Sequence, residues 1–143
     1  MTLSAPVRDA ASAKRAELLA AAIAACQSSP ASSRSLDAEI ARAIFAGLAD
    51  LAVIEQGVWQ HGDGSRVRAL HYSSKERAAA TLVPMGGWME RAGRAAIVHT
   101  ADGHWAGDHA VEPIALCIAA LSARLSQYSI GLGRGSLSGD WHE

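Results

Sequence analysis

Aromatic side chains are scarce: four Trp, two Tyr and one Phe make up 5% of the chain. A core with so few rings must rest on aliphatic side chains and close helix packing, and alanine alone supplies 31 of the 143 residues. Cysteine is nearly as rare. Cys26 and Cys117 are the only two, which excludes a disulfide scaffold and any cysteine pair with metal-ligand spacing. Both fall on apolar stripes of expected helices, where a free thiol behaves as a small buried hydrophobe; a disulfide between them is the lesser reading. This usage suits a reducing cytoplasm. Long apolar runs are missing too, and none approaches the roughly 18 residues of a membrane-spanning helix. Thirteen basic against fourteen acidic residues leave a net charge of −1. No global field draws the chain to nucleic acid.

The length suits one domain with a real core and is too short for two. One export pattern competes with that cytoplasmic reading. Lys14-Arg15 precede an apolar stretch from Leu18 to Ala25, Ile23-Ala24-Ala25-Cys26 has the form of a lipoprotein cleavage site, and a Ser/Pro tract follows. Asp9 and Glu17 put negative charge beside and inside that signal, and its apolar part is short and mostly alanine. A plain helix is the stronger reading, with a lipoprotein anchored through Cys26 as the alternative.

Periodicity predicts an amphipathic helix over 7–27, with Leu19, Ile23 and Cys26 on its apolar side. Pro30 and a serine cluster break it. A second helix starts at Ser35, capped by that serine with Asp37 and Glu39 near its positive end, and its stripe runs through Leu36, Ile40, Ile44, Leu48 and Leu51. Val53–Trp59 and Arg66–Leu70 read as strands joined by the glycine-bearing turn His61-Gly62-Asp63-Gly64. Ser73-Ser74-Lys75-Glu76 fits a capping box that opens a short helix through Leu82. Strands follow at 88–92 and 94–100, with a brief third at 104–106. A last helix begins at Pro113 and carries Ile114, Cys117, Ile118, Leu121 and Leu125 inward. The chain thus divides into a helix and linker over 1–34, a packed unit over 35–127 and a Gly-rich tail over 128–143. The fold class is α+β: a small antiparallel sheet of four or five strands with helices on its faces.

The run His71-Tyr72-Ser73-Ser74, the short helix after it, Leu82-Val83-Pro84, two brief strands and the segment Glu112–Leu121 together resemble the phage ABA sandwich domain. That family is a small module of phage and prophage proteins. The resemblance covers about residues 36–125 and implies α–β–α layering and a phage setting. Two positions depart from the family's habit. Val111-Glu112 stand where a Thr or Ser often precedes the helix proline, and Met85 replaces an acidic residue after Leu82-Val83-Pro84.

No catalytic constellation stands out. His99, His104 and His109, with Asp102 and Asp108, form the nearest approach to a metal cluster, but their spacing along strands and loops does not bring them to one point. Ser73 or Ser74 near His104 and Asp102 is the weak candidate for a nucleophile. Gly131-Leu132-Gly133-Arg134-Gly135 neither follows a strand nor opens a helix, as a phosphate loop requires. The tryptophans are the better lead. Trp59, Trp88 and Trp105 fall on or beside strands, near Arg66, Arg68, Arg91 and Arg94. Exposed indoles beside guanidinium groups make a platform for a flat anion or a protein surface, while indoles turned inward would simply fill the core.

The resemblance implies a phage or prophage setting, and the want of a catalytic constellation points to a non-enzymatic accessory binding protein without a cofactor. Its target would be a host protein, as for an inhibitor of a defence system, or a small nucleotide-like signal. A structural or assembly accessory is the alternative, self-associating through the helix at 7–27. A DNA-binding regulator ranks lowest, because near-neutral charge gives little phosphate neutralisation.

Overall fold

The computed structural model describes residues 4–137, with side chains given from 10 to 128. Four helices and six short strands succeed one another. Helix α1 spans Ser4–Ser28 and α2 spans Arg34–Ile44, followed by a 3-10 turn at Ala46–Asp50. Strands β1 (Ala52–Glu55), β2 (Val58–Gln60) and β3 (Arg66–Arg68) come next, then α3 (Glu76–Ala80). Strands β4 (Trp88–Ala92), β5 (Ala95–Thr100) and β6 (Gly103–Asp108) precede the long α4 (Glu112–Leu137).

The α+β class holds, and the strands divide into two antiparallel three-stranded sheets, β1-β2-β3 and β4-β5-β6, instead of one sheet of four or five strands. The extra strand arises at Gly57. Its φ of 81° turns the chain back between β1 and β2, so the run Val53–Trp59 is a hairpin where alternation alone reads one strand. Beside Gly57 lies the Arg34 guanidinium, 2.7 Å from where a Cβ would stand, so space as well as backbone conformation requires glycine here. The turn at 61–64 forms as its sequence requires: Asp63 Oδ1 accepts from the Ser65 amide at 2.9 Å and its hydroxyl at 2.7 Å.

Helix α4 is the spine. Its residues Ile114 to Leu121 are all buried, and α1, α3, β5 and β6 pack on it. Alanine makes close approach possible, and one glycine makes it closest. A Cβ on Gly107 of β6 would collide with the Ala115 carbonyl and fall 2.8 Å from the Ala119 amide. In the β4-β5-β6 register, Met89, Val98 and Trp105 form one row, and Arg91, Ala96 and Gly107 the next. These rows face the helix. The alternate rows, which hold Trp88, His99 and His104, then Glu90, Ile97 and Ala106, lie on the outer face.

Helix α1 belongs to the same core. Leu19, Ala22 and Cys26 are buried and join the single apolar cluster with α2 and α4, so α1 is not set apart from the packed unit by a boundary at residue 34. That stripe packs against α4. At the other end α4 continues helically to Leu137, through the segment 128–137 expected as tail; residues 138–143 of that tail, Trp141 included, lie outside the described residues. No helix among the described residues is long and apolar enough to cross a membrane.

A candidate binding cleft

A cleft of about 920 Å³ opens between the end of α2, the β2-β3 hairpin, the end of α3 and the middle of α4. Its position stems from how α2 ends. Phe45 adopts an extended conformation (φ −114°, ψ 101°) and the chain tightens into the 3-10 turn. The stripe begun by Ile40 and Ile44 therefore continues through Leu48 and Leu51 at a new angle and lines one wall. Phe45 is left 54% exposed at the lip. Trp59 and Val67, paired across β2 and β3, form the facing wall.

The floor carries the chemistry. Between Glu112 and Arg134, Arg124 is the only charged residue in the sequence, and it reaches from α4 into the cleft. Its Nε donates to the Leu82 carbonyl at 2.5 Å and its Nη2 lies 3.5 Å from the Thr81 carbonyl. Nη1 has no partner among the described residues, and no carboxylate lines the cleft. Burial lowers the Arg124 pKa from its ordinary value, with the nearby Tyr128 and Tyr72 phenols opposing the shift. Tyr72 is 2% exposed and its hydroxyl has no hydrogen-bond partner among the described residues. Burial raises the phenol pKa, the buried Cys117 thiol adds to the rise, and Arg124 works against it. The floor is thus a neutral phenol and a half-buried cation within electrostatic reach of each other, under apolar walls. Arg68 and His61 stand exposed at the rim.

Below the cleft a polar network fixes the loop that carries Tyr72. Ser33, and not Ser35, caps α2: its hydroxyl accepts from the Leu36 amide at 3.0 Å. Asp37 is 1% exposed, and its Oδ1 accepts from the Ser73 amide at 2.8 Å and the Ser73 hydroxyl at 2.7 Å. Its Oδ2 takes Arg34 Nη1 at 2.9 Å. Ser73 is therefore no cap for α3, which starts after Lys75 without any side-chain cap. Nor is it arranged as a nucleophile. It is fully buried and donates to a carboxylate, while His71 Nδ1 lies 4.0 Å from Asp37 and 58% of its side chain is exposed.

The tryptophan and arginine residues singled out in the sequence do not meet at one place. Trp59 is 1% exposed and fills core and cleft wall together; Arg68 is at the rim, and Arg66, across from Gln60, points to solvent. Trp88 and Trp105 occupy the other sheet on opposite faces. Trp105 packs partly buried against the core. Trp88 is 58% exposed and stacks on His99, ring centroids 4.1 Å apart. Arg91 turns inward to pair with Glu76, with its Nη1 buried and unpartnered among the described residues. Arg94 sits 3.4 Å from Asp108 at an exposed strand end.

The histidines are divided as well. His99 and His104 face each other across β5 and β6 with ring centroids 5.8 Å apart, and His99 Nε2 lies 2.8 Å from Glu90 Oε1. His109 is turned away; its Nε2 meets the Ser29 carbonyl at 2.7 Å and its Nδ1 accepts from the Val111 amide at 2.9 Å. Among the described residues no three His, Cys, Asp or Glu side chains are grouped to hold a metal. Compared with protein-family models, curated proteins and solved structures, the chain matches none.

Sequence reasoning misses Arg124 and Tyr72. A signal for Arg124 is present: a lone charge between Leu121 and Leu125 in an otherwise uncharged helix needs a special environment. Nothing in the local pattern around Tyr72 marks its hydroxyl as unpartnered.

Proposed function

We propose that this chain is a non-enzymatic binding protein that holds a small ligand in the cleft above Arg124 and Tyr72. One observation carries the reading: the cleft pairs mostly apolar walls with a half-buried cation that has no counter-charge among the described residues. Ligand sites have this composition, apolar lining with a few convergent polar groups in a volume of roughly 300–1,000 Å³. The resemblance to the phage ABA sandwich domain supports a wider setting, a phage or prophage accessory protein that captures a host-cell compound. A concave site favours a small molecule over a host protein as the target.

The assembly-accessory reading has one observation of its own. Edge strand β1 is exposed along its whole length, with Val53 at 65% and Ile54 at 42%, and open edges of this kind invite strand pairing.

Native mass spectrometry after incubation with a bacterial small-molecule extract tests the main reading. The protein is expected to retain a small-molecule adduct whose mass is unchanged on release. Ala46→Trp, an exposed position on the cleft wall, is expected to abolish it. An adduct that survives in Ala46→Trp, an altered mass on release, or no adduct at all contradicts the proposal.

A further inference from the structure

Resting on the reading of the cleft as a ligand site, we infer that the ligand is a monocarboxylate with an apolar body. Its carboxylate would meet Arg124 and Tyr72, and its body would lie along Leu48, Leu51 and Val67. Charge complementarity sets the sign: Arg124 and Arg68 line the cleft and no acid does. Donor geometry and charge together set the head group. Nε of Arg124 and one N–H of Nη2 face the carbonyls of Leu82 and Thr81, which leaves the outer Nη1–Nη2 edge as the fork open to an anion. Its two parallel N–H groups match the two oxygens of a carboxylate, and Tyr72, which lines the same cleft, offers its hydroxyl as a further donor. A phosphate dianion would bring a second charge into a half-buried site with one deep cation, and that charge would be desolvated without a partner.

The rim cation does not change this. Arg68 is exposed, and charge pairing there is screened by solvent and salt. It affects approach more than head-group choice. The walls exclude the opposite extreme, a small fully polar acid, because apolar surface leaves its remaining polar groups without partners.

Isothermal titration of the full chain with octanoate, octan-1-ol and octyl phosphate tests the inference, since the three share one tail. Octanoate is expected to bind at least about tenfold more tightly than either of the others, the scale of one charge-assisted contact. Arg124→Gln is expected to reduce octanoate to the level of the alcohol while leaving the alcohol unchanged. Tyr72→Phe is expected to weaken octanoate several-fold and spare the alcohol. Equal affinity for octanoate and octan-1-ol overturns the carboxylate inference while the cleft remains a binding site. Tighter binding of octyl phosphate overturns it in favour of a dianion. Absence of binding by all three overturns the inference, whereas the reading of the cleft itself falls only if the adduct experiment fails as well. Should Arg124→Gln lose its folded structure, the three head groups on the unaltered protein still decide.

Discussion

Asp37 holds three donor groups with one carboxylate: Arg34 Nη1 at the start of α2 and both the amide and the hydroxyl of Ser73 in the loop before α3. Asp37→Asn keeps the shape but removes the charge and replaces one acceptor oxygen with a donor, facing groups that donate. The expected cost is about 1–3 kcal/mol, read as a lower urea midpoint with an unchanged slope. A midpoint equal to that of the unaltered protein would mean that water satisfies these donors as well as the carboxylate does. Ser73 also illustrates where a local pattern misleads. Ser73 and Glu76 have the spacing of a capping box, yet the serine bonds to a residue 36 positions earlier, and Glu76 pairs with Arg91. Local spacing cannot register a partner that the fold supplies.

Helix placement is the most legible part of the architecture. The stripes of α1, α2 and α4 repeat at helical spacing over many residues, and Leu19, Ile40, Ile114 and Leu121 are all buried. Strands are less so, because the segments are short and Gly57 divides one apparent strand into two. The continuation of α4 to Leu137 is also not legible: Gly131, Gly133 and Gly135 lower intrinsic helix propensity, and nothing local offsets that. Between sheet and helix the decisive residue is Gly107. A methyl group there would press on the Ala115 carbonyl and the Ala119 amide of α4, so sheet and spine would have to separate. Gly107→Ala is expected to destabilise the protein by about 1–3 kcal/mol or more, measured by thermal or urea unfolding. A neutral outcome would contradict so close an approach of β6 to α4.

Over the whole molecule, the candidate site draws on α2, the 3-10 turn, β2, β3, α3 and α4, so no single stretch of sequence could display it. Trp59 and Arg68 stand out in the sequence and do line the cleft; Trp88, Arg91, Arg94 and Trp105 belong to the second sheet and its turn. Two surfaces therefore compete as the place of binding. One is the cleft above Arg124, and the other is the outer face where Trp88 stacks on His99 beside His104. Backbone amide chemical-shift mapping during titration with octanoate separates them directly. Shifts are expected to concentrate at residues 44–51, 59–72 and around Arg124, with the amides of Trp88, His99 and His104 unmoved. Shifts confined to the outer face of β4-β5-β6 would contradict binding in the cleft.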